Sequence, residues 1–150
     1  MQEPKIFKKE AFHVAGIINH YPNALVNFDS SWRKYMTVAE TLEPLSTGEG
    51  NYGVYLGGDY TKPLHYLAGI SVKDLTSIPL GIEVKRIPTA TYIVFESPYE
   101  KLIETYTYIH QEWFPISDYK IDFTKFGFDF YPQGQNEENL IQIWIPVLTK

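Results

Sequence analysis

The chain has no cysteine, so disulfides, thiolate chemistry and cysteine-based zinc sites are excluded. It also lacks any apolar run near the ~18 residues that a membrane-spanning helix needs. Lys5, Lys8, Lys9 and Glu10 interrupt the stretch where a signal-peptide core would lie. A cytoplasmic location without membrane attachment is the expectation. Basic excess is missing as well: 13 Lys and Arg face 18 Asp and Glu, for a formal charge of −5. A phosphate backbone needs a basic surface, so direct nucleic-acid binding is not expected, and a neutral or cationic partner is favoured.

Familiar catalytic and nucleotide motifs are absent too. Gly48-Glu49-Gly50-Asn51-Tyr52-Gly53 matches G-x-G-x-x-G by letter, but it enters a strand instead of opening a helix. There is no P-loop lysine pattern and no G-x-S-x-G elbow. His13, His20, His65 and His110 fall in different predicted elements, with no metal-ligand spacing. They read as surface or packed histidines, and no cofactor is expected.

What the chain does have is aromatic residues, at 16% of the sequence, with 12 tyrosines. A tyrosine joins an apolar body to a polar tip, which suits clefts. The densest stretch is Phe126-Gly127-Phe128-Asp129-Phe130-Tyr131. Side chains alternate between the faces of a strand, so three phenylalanines share one face, while Gly127, Asp129 and Tyr131 share the other. A carboxylate on such a strand is either solvated or placed for a task.

Around that stretch the pattern implies an α+β fold. Lys5–Lys9 and Phe12–Ile18 read as short strands. Leu25, Phe28, Trp32, Tyr35/Met36 and Ala39 recur at helical spacing, and that helix stops before Pro44. Ser46–Gly50 reads as a loop, followed by strands at Asn51–Leu56 and Leu64–Val72 around a Gly57-Gly58-Asp59 turn. Thr76–Gly81 reads as a linker. The second half repeats the programme: strands at Ile82–Ile87 and Thr91–Glu96, then a helical stripe from Tyr99 to Trp113 ended by Pro115. A hairpin of Phe126–Tyr131 and Leu140–Val147 closes it, through a polar loop from Pro132 to Asn139.

The order suggests a diverged internal repeat, about residues 1–75 and 80–150, within a single domain. Tyr52-Gly53-Val54-Tyr55 aligns with Phe126-Gly127-Phe128-Asp129, which makes Tyr55 the counterpart of Asp129. Ala68–Val72 aligns with Ile143–Val147. An eight-stranded antiparallel sheet with two long helices follows. On the last strand, Ile141, Ile143, Ile145 and Val147 form a core face. Gln142 and Trp144 are expected to wall an aromatic pocket beside Asp129 and Tyr131. Gly53, Gly57 and Gly69 leave room on the matching positions. Trp32 and Trp113, on the two helical stripes, read first as core, while Tyr99 and Tyr106, seven apart on one helical face, read equally as core or as cleft edge. Glu96, Glu100 and Glu104 read as solvated surface.

The chain resembles the GyrI-like effector-binding superfamily, the ligand-binding module of many AraC- and MerR-type bacterial regulators. The resemblance rests on Tyr52-Gly53-Val54 and Tyr66-Leu67-Ala68-Gly69-Ile70-Ser71-Val72 in the first half. In the second half it rests on Pro88-x-x-x-Tyr92-x-Val94-Phe95, Thr105-Tyr106-x-Tyr108-Ile109 and Glu112-Trp113-Phe114-Pro115-x-Ser117. The Phe128–Tyr131 strand and the closing Ile143-Trp144-Ile145-Pro146-Val147 complete it. It implies two tandem strand–helix–strand–strand modules and an aromatic groove for small molecules, often lipophilic cations.

The resemblance also places a buried glutamate of the family at Asp129, one methylene shorter by about 1.5 Å. Glu96-Ser97-Pro98-Tyr99 stands where the family has a glycine-containing turn. Regulators of this kind carry a DNA-reading segment ahead of the domain. This sequence opens on the domain itself, so a stand-alone binder acting in transcription regulation or drug sequestration is expected. The ligand contacts implied are Asp129, Trp144, Tyr131, Tyr55, Tyr66, Tyr106, Trp32, Phe28 and Tyr99. Two alternatives remain at this point. One is hydrolysis of reactive electrophiles, with Asp129 as base and Tyr131 or Tyr55 as acid. The other is a protein-partner role toward gyrase or a regulator.

Overall fold

The computed structural model describes residues 3–22, 26–57, 64–132 and 140–150. Strands β1 (Lys5–Lys9), β2 (Phe12–Tyr21), β3 (Ser46–Leu56), β4 (Leu64–Val72), β5 (Glu83–Ile87), β6 (Ala90–Pro98), β8 (Gly127–Pro132) and β9 (Leu140–Thr149) form one antiparallel sheet in the order β1-β6-β9-β8-β3-β4-β2-β5. A ninth strand, β7 (Tyr119–Ile121), pairs with the end of β9. Two long helical segments complete the α+β architecture.

The connections force this sheet to curl. β1 stands at one edge, yet Glu10 and Ala11 alone link it to β2, next to the opposite edge. Pro88 and Thr89 alone likewise link β5 to β6. Two residues span only ~10 Å, whereas six strand spacings on a flat sheet would be ~29 Å. The links touch each other, with Ala11 N donating to Thr89 Oγ1 at 3.0 Å. Inside the curl, Val14, Tyr52, Val54, Leu67, Tyr92 and Phe128 form one buried cluster. Phe12 and Phe128, three strands apart in the sheet, bring their ring centroids to 5.6 Å. Lys9 Nζ lies over the mouth of this core, 4.6 Å from the Phe12 ring.

The helices cover the outer face. Helix α1 (Phe28–Met36) is capped by Asn27, whose side chain accepts from Ser30 N at 3.0 Å. The expected single helix breaks at Thr37-Val38, a β-branched pair with low helix propensity, and resumes as α2 (Ala39–Leu42). The expected start at Leu25 lies outside the described residues, as do Gly58-Asp59 of the turn and most of the Pro132–Asn139 loop. The second segment is continuous from Tyr99: a 3₁₀ turn, α3 (Leu102–Tyr108), a π-helical turn at Ile109–Trp113, and α4 (Phe114–Ile116). Pro115 does not end it. Pro115 has no N–H to give the preceding turn, and the widened turn stands directly before it.

Ser46–Gly50, expected as a loop, instead begins β3. An irregular register between Ser46 and Asn51 absorbs the extra residues, and Gly48 adopts a φ of 85°. β7 is too short for a side-chain period to show in the sequence.

Candidate functional site

β3 and β8 lie side by side at the middle of the sheet, pairing Gly53 with Asp129 and Tyr55 with Gly127. Alternation along β8 sends Phe128 into the inner core and Asp129 to the outer, helix-bearing face. There α1 packs over β2 and β4 of one half, and α3 over β6 of the other. The central pair thus lies beneath the gap between the two helical segments. One contact across that gap is made by Tyr99, whose hydroxyl donates to Asp29 Oδ1 of α1 at 2.9 Å.

Asp129 is completely buried. Tyr55 OH donates to its Oδ2 at 2.6 Å, and Tyr106 OH donates to its Oδ1. Burial dominates its ionisation and pushes the carboxyl up to about 7, although both phenol hydrogen bonds pull the other way. The same burial, with the neighbouring carboxyl, holds the Tyr55 phenol well above its ordinary value, so it stays protonated. A carboxylate in this position carries charge that two phenols stabilise but do not neutralise.

Further rings enclose the group. Tyr66 meets Tyr55 edge-on at 5.2 Å and Phe28 at 5.5 Å. Its hydroxyl sits over Gly53, where an added Cβ would come within 1.8 Å of it. Trp32 packs edge-on to Tyr131 at 4.9 Å, and Tyr99 lies 6.4 Å from the same ring. The Trp32 indole nitrogen and the Tyr66 and Tyr131 hydroxyls are buried without a hydrogen bond of proper geometry. Burial raises the Tyr66 and Tyr131 phenols as well.

In front of Asp129, on the outer side of the phenols, lies a cavity of about 510 Å³. Phe28, Tyr55 and Tyr106 border it, together with Val26, Ile103, Phe126 and Pro146. That volume is ordinary for a small-molecule site. Tyr106, His110 and Phe114 continue its wall as a stacked ladder along the second helical segment, at 6.0 and 6.1 Å. Burial lowers the His110 imidazole, which favours its neutral form.

Eight of the nine candidate residues therefore gather at one place: Asp129, Tyr55, Tyr106, Tyr66, Tyr131, Trp32, Phe28 and Tyr99. Trp144 does not join them. Its partner across the β8–β9 ladder is Phe128, not Asp129. Its ring stacks on Phe128 at 5.4 Å and on Phe7 at 5.6 Å, inside the curl, while its indole N–H donates to Gln142 Oε1 at 2.9 Å. The expected wall of Gln142 and Trp144 beside Asp129 is thus on the wrong side of the sheet. Trp144 nonetheless lines the cavity beside Gly127 and Pro146, whereas Asp129, Tyr66, Tyr131, Trp32 and Tyr99 stand behind its lining.

Gly53 does leave room, but for Tyr66. Gly69 and Gly16 instead let β2 and β4 approach, since a Cβ on either would come within about 2.1 Å of a backbone oxygen. Tyr55, aligned with Asp129 by the repeat, also contacts it directly, and the pairing of Gly53 with Asp129 and of Tyr55 with Gly127 is compatible with that alignment. Sequence reasoning missed His110 and the Asp122-Phe123 corner of the cavity. The i, i+4 spacing of Tyr106, His110 and Phe114 was the available signal. Among the described residues, no group of three or more His, Asp or Glu is placed to hold a metal ion.

Comparison with known proteins gives this arrangement a context. Among curated proteins no sequence matches the chain. Among solved structures, SAV2435 bound to tetraphenylphosphonium is similar at a TM-score of 0.77 and 20% identity, over 98% of this chain and 94% of that one. A putative bacterial transcription regulation protein from Staphylococcus aureus MU50 follows at 0.73 and 20%, over 98% and 99%. The EcmrR C-terminal domain is similar at 0.71 and 16%, over 99% and 98%. At such identities these likenesses speak for the fold. The model of the GyrI-like small molecule binding domain matches residues 2–148, and the chain belongs to that family.

Proposed function

We propose that this domain binds lipophilic, aromatic cations in the cavity between its two helical segments, and that Asp129 supplies the opposing charge. The observation that carries the reading is a fully buried carboxylate with no cationic hydrogen-bond partner among the described residues. Such a charge is costly, and an incoming cation would offset that cost.

Tyr55 and Tyr106 stand between the cavity and Asp129. Each gives its proton toward the carboxylate, which makes its oxygen more negative on the cavity side. A ligand's positive charge would meet these oxygens and the faces of the aromatic rings, each ring contact contributing about 0.5–2 kcal/mol. Asp129 would act behind them through a medium of low effective dielectric. The neighbour that carries tetraphenylphosphonium agrees with this ligand class. Drug sequestration or the effector half of a transcriptional response are the roles such binding would serve. Binding is favoured over hydrolysis because both carboxylate oxygens already accept phenol protons.

The reading is tested by titrating methyltriphenylphosphonium and neutral triphenylphosphine oxide into the protein at pH 8. The cation should bind at least tenfold more tightly. Equal affinity would mean that the cavity selects shape alone.

A further inference from the structure

The cavity does not end at its own margin. A second, open groove of about 610 Å³ lies beyond it, between α4 and β7. His110, Ile121, Asp122 and Phe123 border both hollows. Phe114, Tyr119 and Leu148 give the outer groove an apolar floor, and Lys120 and Lys150 stand among its lining. Lys150 Nζ is held by the Phe114 and Pro115 carbonyls at 3.1 and 3.3 Å, which lays its methylene stem along the groove. Phe123, at the junction, is 64% exposed, and Leu148 is 47% exposed. Phe123 and Leu148 thus present apolar surface directly beside the inner cavity.

We infer that the ligand class extends to elongated cationic amphiphiles: a cationic head in the inner cavity and an alkyl tail passing Phe123 into the outer groove. The inference rests on the cation-binding reading above and adds the direction in which the ligand grows. A compact cation such as tetraphenylphosphonium would use only the inner part. A linear chain would leave past Ile121 and lie on Leu148.

The test is calorimetry with alkyltrimethylammonium salts from butyl to dodecyl, each below its critical micelle concentration, with tetraphenylphosphonium as the compact reference. Affinity should rise about twofold to fourfold per added methylene through the long members of the series. In Leu148→Glu, and in Phe123→Ser as a second variant on an exposed position, that rise should fall by at least half. If the reference binds while affinity is flat with chain length, or if the rise is the same in both variants, the outer groove is unused and the inference fails. If neither the reference nor any ammonium binds, the cation reading itself fails.

Discussion

At the scale of the residue, Asp129 carries the account, and its protonation is measurable. Its folded value of about 7 lies above the ordinary carboxylate value of 3.8 because burial disfavours the charge. Between those values the folded protein holds a proton that the unfolded chain releases. The resulting stability is fully present below about 3.8 and is lost as pH rises through about 7. Asp129→Asn removes the charge altogether. It should therefore stabilise the ligand-free protein at pH 8, by on the order of a few kcal/mol, and change little at pH 4. Thermal melts of both proteins at the two pH values would check this. No gain at pH 8 would show that the carboxylate is neutral or solvated there.

Cation affinity should move the opposite way with pH. If only the ionised carboxylate attracts the ligand, affinity should fall by up to about tenfold per pH unit below 7. Titrations at pH 8, 6 and 5 measure it. The carboxylate's face was legible in the sequence because alternation along Phe126–Tyr131 leaves little choice. The expected place of Trp144 beside Asp129 shows the limit of the same logic. Alternation sorts residues within one strand, but which face of β9 meets which face of β8 depends on the pairing of Phe128 with Trp144.

At the scale of the element, the site is made by close approach. Gly53 lets the Tyr66 ring lie flat over β3, with its hydroxyl where a side chain would begin. Gly53→Ala should push Tyr66 toward Tyr55 and cost about 1–3 kcal/mol of stability. Because Tyr55 orders Asp129, cation affinity should fall in the same variant. Urea unfolding with a parallel titration would check both, and an unchanged midpoint would mean that Tyr66 relaxes freely. The elements themselves were readable from period: β1 and β4 have the expected bounds, and β6 and β9 lie within a few residues of theirs. The break at Thr37-Val38, the π-turn before Pro115 and three-residue β7 were not. Low propensity at two residues, one missing N–H at Pro115 and a three-residue pairing leave no periodic trace.

At the scale of the whole molecule, the curl explains why one sheet can do two jobs. Its inner face is closed on itself by the two short links and packed with rings. Its outer face is divided between two helical segments, and the division falls over the central β3–β8 pair. The symmetric strand order is what a duplicated unit would give, and it puts the cleft where the halves meet. The symmetry was visible in the order of elements. The cleft was not, because it arises from the space between the helices and not from either one.

The central claim is that the buried charge of Asp129 attracts the ligand's positive charge. It is tested most directly by titrating tetraphenylphosphonium into the wild-type protein and into Asp129→Asn at pH 8. A loss of at least tenfold in affinity, about 1.4 kcal/mol, is the predicted result. The same affinity in a variant that melts no lower than the wild type would contradict it.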